Sequence, residues 1–297
     1  TDESVIRWMH EILSVGTGDS TTNNLHKLKN VKDDIKILSY HRSLYFLKQK
    51  GIRVDYWSFN DPDASLLGLQ WFMENLESTD KPKILLPHFL KNLNENSKYG
   101  GTSQMLRVGR HFIGGDTNDP KYSVENNWNF YHNSIQTLDK RGDIEWIKSI
   151  STRFIGNNPT HEIFTNPKVR FEENYPMVVG TVNCASLQDK NWQYENKFTS
   201  NVLPLVHYLK AKEIYNLGFD NQGGRINNDL LEKINPKNLS NQFHNDRSTI
   251  NIALEKFKLW VNWEPHHKMK IYSVAEDKYT PNNTILRYKP LETLLNG

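Results

Sequence analysis

The sequence predicts an α/β protein with a Rossmann-like, mostly parallel sheet flanked by helices. Short apolar runs rich in Ile, Val, Tyr and Trp recur along the chain, and segments with helical periodicity lie between several of them. Strands that alternate with helices pair in parallel, because each helix carries the chain back across the sheet in a right-handed crossover. With 297 residues, the chain is long enough for one large α/β domain or two smaller ones.

The individual elements are predicted from local patterns. "RSLYFLKQKG" is a helix that Gly51 closes at its C-terminal end. "TSNVLPLVHYLKAK" is a second helix, with Pro204 near the first turn, where a missing N–H is tolerated. "STINIALEKFKLWVNW" places its apolar residues on one helical face. The strand candidates are residues 12–15, 35–39, 55–59, 83–86, 177–182, 213–217 and 269–274.

The strand and helix patterns divide the chain into three parts. Residues 1–90 are predicted to form the N-terminal half of a nucleotide-binding α/β domain, and residues 171–297 its C-terminal half. The region between them, 91–170, is polar, rich in Gly and Asn, and poor in strand patterns. We interpret it as an insertion, a lid or acceptor-binding region that lies over the sheet.

Composition restricts the class of protein. The net charge of +3 is spread along the chain without a Lys/Arg block, which argues against a nucleic-acid partner. No apolar run approaches the ~20 residues of a membrane-spanning helix. The single cysteine, Cys184, permits no internal disulfide and predicts a reducing, cytoplasmic location. Because the chain begins at Thr1 and not at Met, we expect further sequence upstream.

A glycine-paired turn follows the first predicted strand, in the order Gly16, Thr17, Gly18, Asp19, Ser20. Glycines at the carboxyl end of a parallel strand allow the backbone to approach a phosphate or a ribose, and the next helix begins with N–H donors. The alternative is an ordinary tight strand-to-helix turn, because the dinucleotide fingerprint needs a third glycine that is missing here. The pattern alone does not decide between the two.

Polar residues follow other predicted strands at the same edge. Asn60 and Asp61 come after the third strand, where they suit recognition of a base or ribose or else form an Asx turn. Thr199 and Ser200 open a helix, either as a simple N-cap or as phosphate-binding hydroxyls. Asp220 ends the strand at 213–217.

One histidine lies where a general base is plausible. His244 precedes the strongest amphipathic helix and is close to Asp246 and Arg247. The only D-x-D pattern near a strand is Asp61-Pro62-Asp63, and the proline between the two carboxylates argues against a metal pair. We therefore predict that no cofactor is required, with Mg²⁺ or Mn²⁺ left open.

Four of these segments occur in an order that resembles a known enzyme family. They are the strand with G-x-G-x-S, the strand ending in Asn-Asp-Pro, the block "TS…AKEIYNLGFD", and a histidine followed by "ALEKFK". This order resembles the bacterial sialyltransferases of glycosyltransferase family 42. It also resembles the wider group that includes motility accessory factors and methanogen pterin diphosphokinase-like proteins. The resemblance covers residues 12–63 and 197–274.

The resemblance implies a cytidine-nucleotide site at the carboxyl edge of the sheet. Thr17 stands where the family has Asn between the glycines, and His41 stands where it has Asn after the second strand. Asn60 keeps the family's Asn after the third strand. The implied nucleotide-binding residues are Gly16, Thr17, Gly18, Ser20, His41, Asn60, Asp61, Thr199, Ser200, Gly218, Phe219 and Asp220.

The resemblance also implies the catalytic groups. His244 corresponds to the general base that takes the proton of an acceptor hydroxyl. The family members that use CMP-sialic acid steady the leaving phosphate with tyrosines between the G-x-D turn and the histidine, but residues 220–244 contain no Tyr here. Arg225 or Arg247 is the substitute, since a guanidinium pairs well with phosphate oxygens. We therefore expect a cytidine nucleotide and leave the transferred sugar unassigned.

The leading hypothesis is a cytoplasmic bacterial glycosyltransferase that uses a CMP-activated sugar and a glycan acceptor in capsule, lipooligosaccharide or other surface-polysaccharide synthesis. Three alternatives stay open. They are transfer of another group from a cytidine diphosphate carrier, a pterin-type diphosphokinase that uses ATP and Mg²⁺, and a non-catalytic nucleotide- or glycan-binding module. Peripheral membrane association and the oligomeric state are left open as well.

Overall fold

The fold is known from a computed structural model of the chain. The structure describes residues 10–59, 62–87, 90–91, 124–147, 198, 202–220, 258, 261 and 269–297.

Within these residues, eight parallel strands form one sheet in the order β5-β4-β3-β2-β1-β6-β7-β8. Each neighbouring pair is parallel, from β1 against β2 to β7 against β8. This confirms the predicted α/β class with a Rossmann-like parallel sheet. The strands are β1 His10–Val15, β2 Ile35–Tyr40, β3 Tyr56–Ser58, β4 Lys83–Pro87, β5 Ile144–Ile147, β6 Ala211–Leu217, β7 Lys270–Ser273 and β8 Arg287–Tyr288.

Five α-helices and three short 3₁₀ helices are described beside the sheet. The α-helices are α1 Asp19–Asn24, α2 Ser43–Gln49, α3 Pro62–Glu74, α4 Val124–Lys140 and α5 Leu203–Tyr208. The 3₁₀ helices are Leu25–Asn30, Pro281–Thr284 and Leu291–Leu294. In the described ranges, every helix is too short or too polar to cross a bilayer.

The sheet is buried on both faces, which explains the nearly continuous apolar sequence of its central strands. In β1, Leu13 and Val15 pack into a core on one face, together with residues of α2, α3 and α4. Ile12 points to the opposite face and packs into a second core with residues of α5. Helices therefore cover both faces, as in a three-layer α/β/α arrangement.

Most of the predicted strands that fall on described residues are present. The strands predicted at 12–15, 35–39, 83–86, 213–217 and 269–274 match β1, β2, β4, β6 and β7 within two residues at each end. β3 is shorter than the predicted 55–59. The prediction at 177–182 lies outside the described residues, and β5 and β8 were not predicted.

Helix α2 agrees with the sequence. It covers Ser43–Gln49, and Gly51 follows it at a φ of +65°, the left-handed conformation expected of a glycine that ends a helix. Helix α5, Leu203–Tyr208, lies within the second predicted helix, but the predicted C-terminal end was wrong, because Ala211 and Lys212 already belong to β6. Nearly all of the third, "STINIALEKFKLWVNW", lies outside the described residues.

The predicted insertion, 91–170, contains regular structure in its described part. Helix α4, Val124–Lys140, packs against α3, and β5, Ile144–Ile147, extends the sheet next to β4. Residues 124–147 therefore continue the alternation of helix and strand. The prediction that the region acts as a lid or an acceptor site stays a prediction.

Candidate functional site

The order of the sheet identifies one position for a ligand. From β1 to β5 the chain adds strands on one side, and β6 then pairs with the opposite side of β1. Neighbouring loops diverge at such a switch point, and open α/β sheets bind their ligands there, at the carboxyl ends of the strands. The two turns at this position are residues 16–20 after β1 and residues 218–220 after β6, and we call them together the switch edge.

The two turns of the switch edge are joined by backbone hydrogen bonds. The N–H of Gly16 donates to the carbonyl of Leu217 over 2.8 Å, and the N–H of Gly18 donates to the carbonyl of Gly218 over 2.7 Å. In return, the N–H of Gly218 donates to Oγ of Ser20 over 2.8 Å. These three N–H groups are therefore not available to a phosphate.

Close approach of the two turns explains the glycines. A Cβ at Gly16 would overlap the carbonyl oxygen of Gly218, and a Cβ at Gly18 would overlap the carboxylate of Asp220. Gly218 has a φ of +81°, and a Cβ there would overlap Oγ1 of Thr21. The glycines therefore serve the packing of one turn on the other, as the alternative of a tight strand-to-helix turn predicts.

Asp220 is the buried carboxylate of the switch edge. It is 4% exposed, and its two oxygens accept from Ser20, Oδ2 from the N–H over 2.9 Å and Oδ1 from Oγ over 2.6 Å. Burial raises the pKa of Asp220 to about 7, opposed by the two hydrogen bonds from Ser20 and assisted by the negative charge of Asp19. The carboxyl is therefore poised to gain or lose a proton near neutral pH.

The residues of the first turn alternate between buried and half-exposed. Gly16, Gly18 and Ser20 are buried, whereas Thr17 and Asp19 are half-exposed. Thr17 and Asp19 are thus the side chains that the first turn presents at the edge of the sheet. A hydroxyl and a carboxylate can both bind the hydroxyl groups of a ribose or sugar.

The turn after β2 lies beside the switch edge. His41 is half-exposed and has a φ of +56°, which is unusual for a residue other than glycine. Its N–H donates to the carbonyl of Ser58 over 2.9 Å, and its carbonyl accepts from Nε1 of Trp57 over 2.8 Å. Oγ of Ser43 joins this turn to β1 by a 2.8 Å bond to the carbonyl of Val15.

The side chain of Phe219 belongs to the core. It is 8% exposed, and its ring lies 5.6 Å from the ring of Phe198 and 6.2 Å from the ring of Tyr40. Phe219 thereby anchors the second turn of the switch edge to the core of the protein.

The structure brings together the predicted residues that it describes, with His41 on the turn next to the switch point and the others at it: Gly16, Thr17, Gly18, Ser20, Gly218, Phe219 and Asp220. Their roles toward a nucleotide stay predictions. The remaining predicted site residues, which lie outside the described residues, are Asn60, Asp61, Thr199, Ser200, Arg225, His244 and Arg247.

Sequence reasoning missed a third loop that supports the site. Oγ1 of Thr280 donates to the carbonyl of Asp220 over 2.8 Å, and Nδ2 of Asn282 donates to the carbonyl of Phe219 over 2.8 Å. Both side chains are buried, at 2% and 1% exposure. The signal was the pair Thr280-Pro281, which is typical of a capped helix start, but no pattern indicates that its partner is the turn after β6.

No protein-family model matches the chain, and no curated protein matches it significantly. Among solved structures, it is similar to the monofunctional α-2,3-sialyltransferase Cst-I of Campylobacter jejuni, with 14% identity, a TM-score of 0.44, and coverage of 100% of this chain and 86% of that one. A second is the sialyltransferase CST-II in complex with a trisaccharide acceptor and CMP, with 14% identity, a TM-score of 0.41, and coverage of 97% and 88%. This degree of likeness assigns no residue and no activity to the chain.

The described residues also bear on a metal site. They contain no group of three or more His, Cys, Asp or Glu side chains arranged to hold an ion. Asp63, the described member of the D-x-D pattern, lies in α3.

Proposed function

We propose that the chain is a glycosyltransferase that takes a sugar from a CMP-activated donor and transfers it to a hydroxyl of a glycan acceptor. The observation that carries this proposal is the pairing of two glycine turns at the single switch point of a parallel sheet. Such a position is where α/β proteins bind nucleotides. The ordered segments that resemble family 42 sialyltransferases favour a cytidine nucleotide over other nucleotides.

The half-exposed side chains at this edge suit a nucleotide. The hydroxyl of Thr17 and the carboxylate of Asp19 are matched to ribose hydroxyls, because a carboxylate accepts from hydroxyls and repels a phosphate. Arg42, half-exposed on the turn after β2, carries the type of charge that a phosphate requires. Since the glycine N–H groups are already used, recognition would depend on these side chains.

The proposed reaction needs one base and one cationic group. Nε2 or Nδ1 of His244 takes the proton of the acceptor hydroxyl while its oxygen forms a bond to the anomeric carbon. The bond from that carbon to the phosphate oxygen breaks, and CMP leaves with the electron pair. Arg225 or Arg247 stabilises the charge that develops on the phosphate. General-base assistance of this kind contributes ~10²–10⁴-fold to a rate.

The first experiment is a thermal-shift screen with CMP, CDP, UDP, NAD, and ATP with Mg²⁺. We expect stabilisation by CMP and CDP at concentrations where UDP, NAD, and ATP with Mg²⁺ have no effect, and it should be about 2.7 kcal/mol when the ligand is at one hundred times its Kd. Stabilisation by ATP with Mg²⁺ alone would instead indicate the pterin-type diphosphokinase. Stabilisation by cytidine nucleotides without turnover or donor hydrolysis would indicate a binding module.

The second experiment tests the base. His244→Ala should lower kcat by ~10²–10⁴-fold and leave CMP binding intact. His10→Ala is the matched control, because His10 is exposed at the amino end of β1, opposite the switch edge. Unchanged turnover in His244→Ala would refute the assignment of the base and leave the nucleotide proposal standing.

A further inference from the structure

The carboxylate of Asp220 occupies the position of a helix cap for a helix that has none of its own. Helix α1 begins after Gly18, which has no side chain to accept from the first free N–H groups. Asp220, about 200 residues further along the chain, supplies that acceptor to the N–H of Ser20 over 2.9 Å. A capping side chain usually comes from the N-cap residue itself and bonds the N–H two or three residues on.

Space at the switch edge is arranged around this carboxylate. The position that a Cβ of Gly18 would take is filled by Oδ2 and Cγ of Asp220. Oδ1 of Asp220 accepts from Oγ of Ser20, and the same Oγ accepts from the N–H of Gly218. Ser20 and Asp220 therefore close a ring of hydrogen bonds between the two turns, which we call the clasp.

The backbone at Asp220 is also fixed by hydrogen bonds. Its backbone carbonyl accepts from Oγ1 of Thr280, and Asn282 holds the preceding carbonyl of Phe219. At 4% exposure, the Asp220 side chain is covered by protein and has both oxygens engaged. An acceptor with this geometry is suited to hold a loop, whereas a ligand contact needs an oxygen that faces the ligand.

We infer that Asp220 is a positioning residue, which fixes the turn of residues 16–20 through Ser20 and makes no contact with the nucleotide itself. The consequence of this positioning is that Thr17 and Asp19 are presented to the ligand, and this part of the inference rests on the proposed function. It differs from the role implied by the family resemblance, in which Asp220 is one of the nucleotide-binding residues.

Three probes separate a positioning role from direct contact: CMP, 2′-deoxy-CMP and UMP. At pH 8, where the carboxyl of Asp220 is ionised, Asp220→Asn should weaken binding of all three by the same factor, about tenfold, because the clasp loses a charge-assisted hydrogen bond while every ligand contact remains. A change in the ratio of CMP to 2′-deoxy-CMP affinity would reveal a ribose contact, and a change in the ratio of CMP to UMP would reveal a base contact. Either change would overturn the inference.

A double-mutant cycle tests whether Asp220 acts through Ser20. Ser20→Ala removes the Oγ bond and keeps the backbone N–H. If Asp220 acts through Ser20, then Asp220→Asn should cost less affinity in the Ser20→Ala background than alone. Additive effects would overturn the inference. Asp143→Asn is the matched control, because Asp143 pairs with Lys81 and Arg141 at the start of β5, far from the switch edge, and it should leave the affinities unchanged.

Amide hydrogen exchange gives a readout that needs no ligand. Asp220→Asn should speed exchange at Ser20 and Gly218 and leave β4 and β5 unchanged, since only the clasp is loosened. Faster exchange throughout the sheet, or no change at Ser20, would overturn the inference. If the wild-type chain binds none of the three probes, the proposed function fails, and exchange still decides whether Asp220 fixes the turn.

Discussion

The clasp of the switch edge and the inner face of helix α4 are both buried, but they are stabilised in different ways. At the switch edge, the backbone and the buried polar atoms of Ser20 and Asp220 are paired across the two turns. On α4, by contrast, Nε1 of Trp128, the hydroxyl of Tyr131 and Oγ of Ser134 are buried with no hydrogen-bond partner among the described residues. Aromatic packing holds this face, including an edge-to-face contact of 5.8 Å between Trp128 and Tyr131.

The difference indicates where the fold tolerates change. Where two backbones pack closely and bond to each other, a substitution that adds an atom or removes a hydrogen-bond acceptor is destabilising. A face that depends on apolar area tolerates the loss of a polar atom, and removal of an unpartnered one relieves a cost. The same chemical substitution should therefore have different effects in the two regions.

The largest effect is expected from Gly218→Ala. The new Cβ would meet Oγ1 of Thr21 and the backbone of Gly16, at a φ of +81°, so the free energy of unfolding should fall by about 4 kcal/mol from strain and overlap together. Urea denaturation measures it. The control is Gly51→Ala, where φ is +65° but no atom lies within 4 Å of the new Cβ, and the loss should be only about 1 kcal/mol. Equal losses at the two sites would show that the turns can separate freely.

The next effect concerns pH. Burial raises the pKa of Asp220 from 3.8 to about 7, so the folded state binds the proton more tightly than the unfolded chain does. Its contribution to stability is therefore complete below about pH 4 and is lost as the pH rises through 7. Relative to Asp220→Asn, the free energy of unfolding of the wild type should fall by about 4 kcal/mol between pH 4 and pH 8, at up to about 1.4 kcal/mol for each pH unit below pH 7.

Urea denaturation of both proteins at each pH measures this difference. Subtracting the variant cancels other titrating groups, except Asp19, whose charge acts directly on Asp220. A second series in Asp19→Asn accounts for that effect. A difference that stays flat, or that grows in favour of the wild type as the pH rises, would contradict the raised pKa.

The central sheet could be predicted because its strands are buried on both faces. β1, β2, β4 and β6 each contain a run of apolar residues that marks a strand without any knowledge of the neighbours. β5 and β8 were missed for a physical reason. β5 is four residues long with a charged Glu145, and β8 has two residues, so each becomes a strand only through pairing with an existing edge.

The position of the candidate site could be predicted from the sequence, but the contacts that hold its turns together could not. Glycines after β1 and β6 indicated two special turns, and parallel pairing placed them at one edge. What the sequence does not contain is the partner of each group. Nothing local indicates that Gly18 leaves room for the carboxylate of Asp220 or that Thr280 supports its carbonyl, since these contacts join segments that are 60 or more residues apart.

The smallest effects come from one substitution, Tyr→Phe, made on α4 and on β6, the strand that leads into the switch edge. Tyr131 and Tyr215 are both 0% exposed. The hydroxyl of Tyr215 lies 2.8 Å from a carboxylate oxygen of Glu11 and of Glu213, either of which can accept its proton, and it accepts from Nζ of Lys289. The hydroxyl of Tyr131 has no hydrogen-bond partner among the described residues. Tyr215→Phe should lower the free energy of unfolding by about 2 kcal/mol, because it removes a charge-assisted hydrogen bond to a carboxylate and the acceptor of Lys289. Tyr131→Phe should raise it by up to about 1 kcal/mol. If Tyr131→Phe lowers the free energy of unfolding as much as Tyr215→Phe does, the Tyr131 hydroxyl is hydrogen-bonded in solution, for example to an internal water. The inner face of α4 would then also be stabilised by hydrogen bonds.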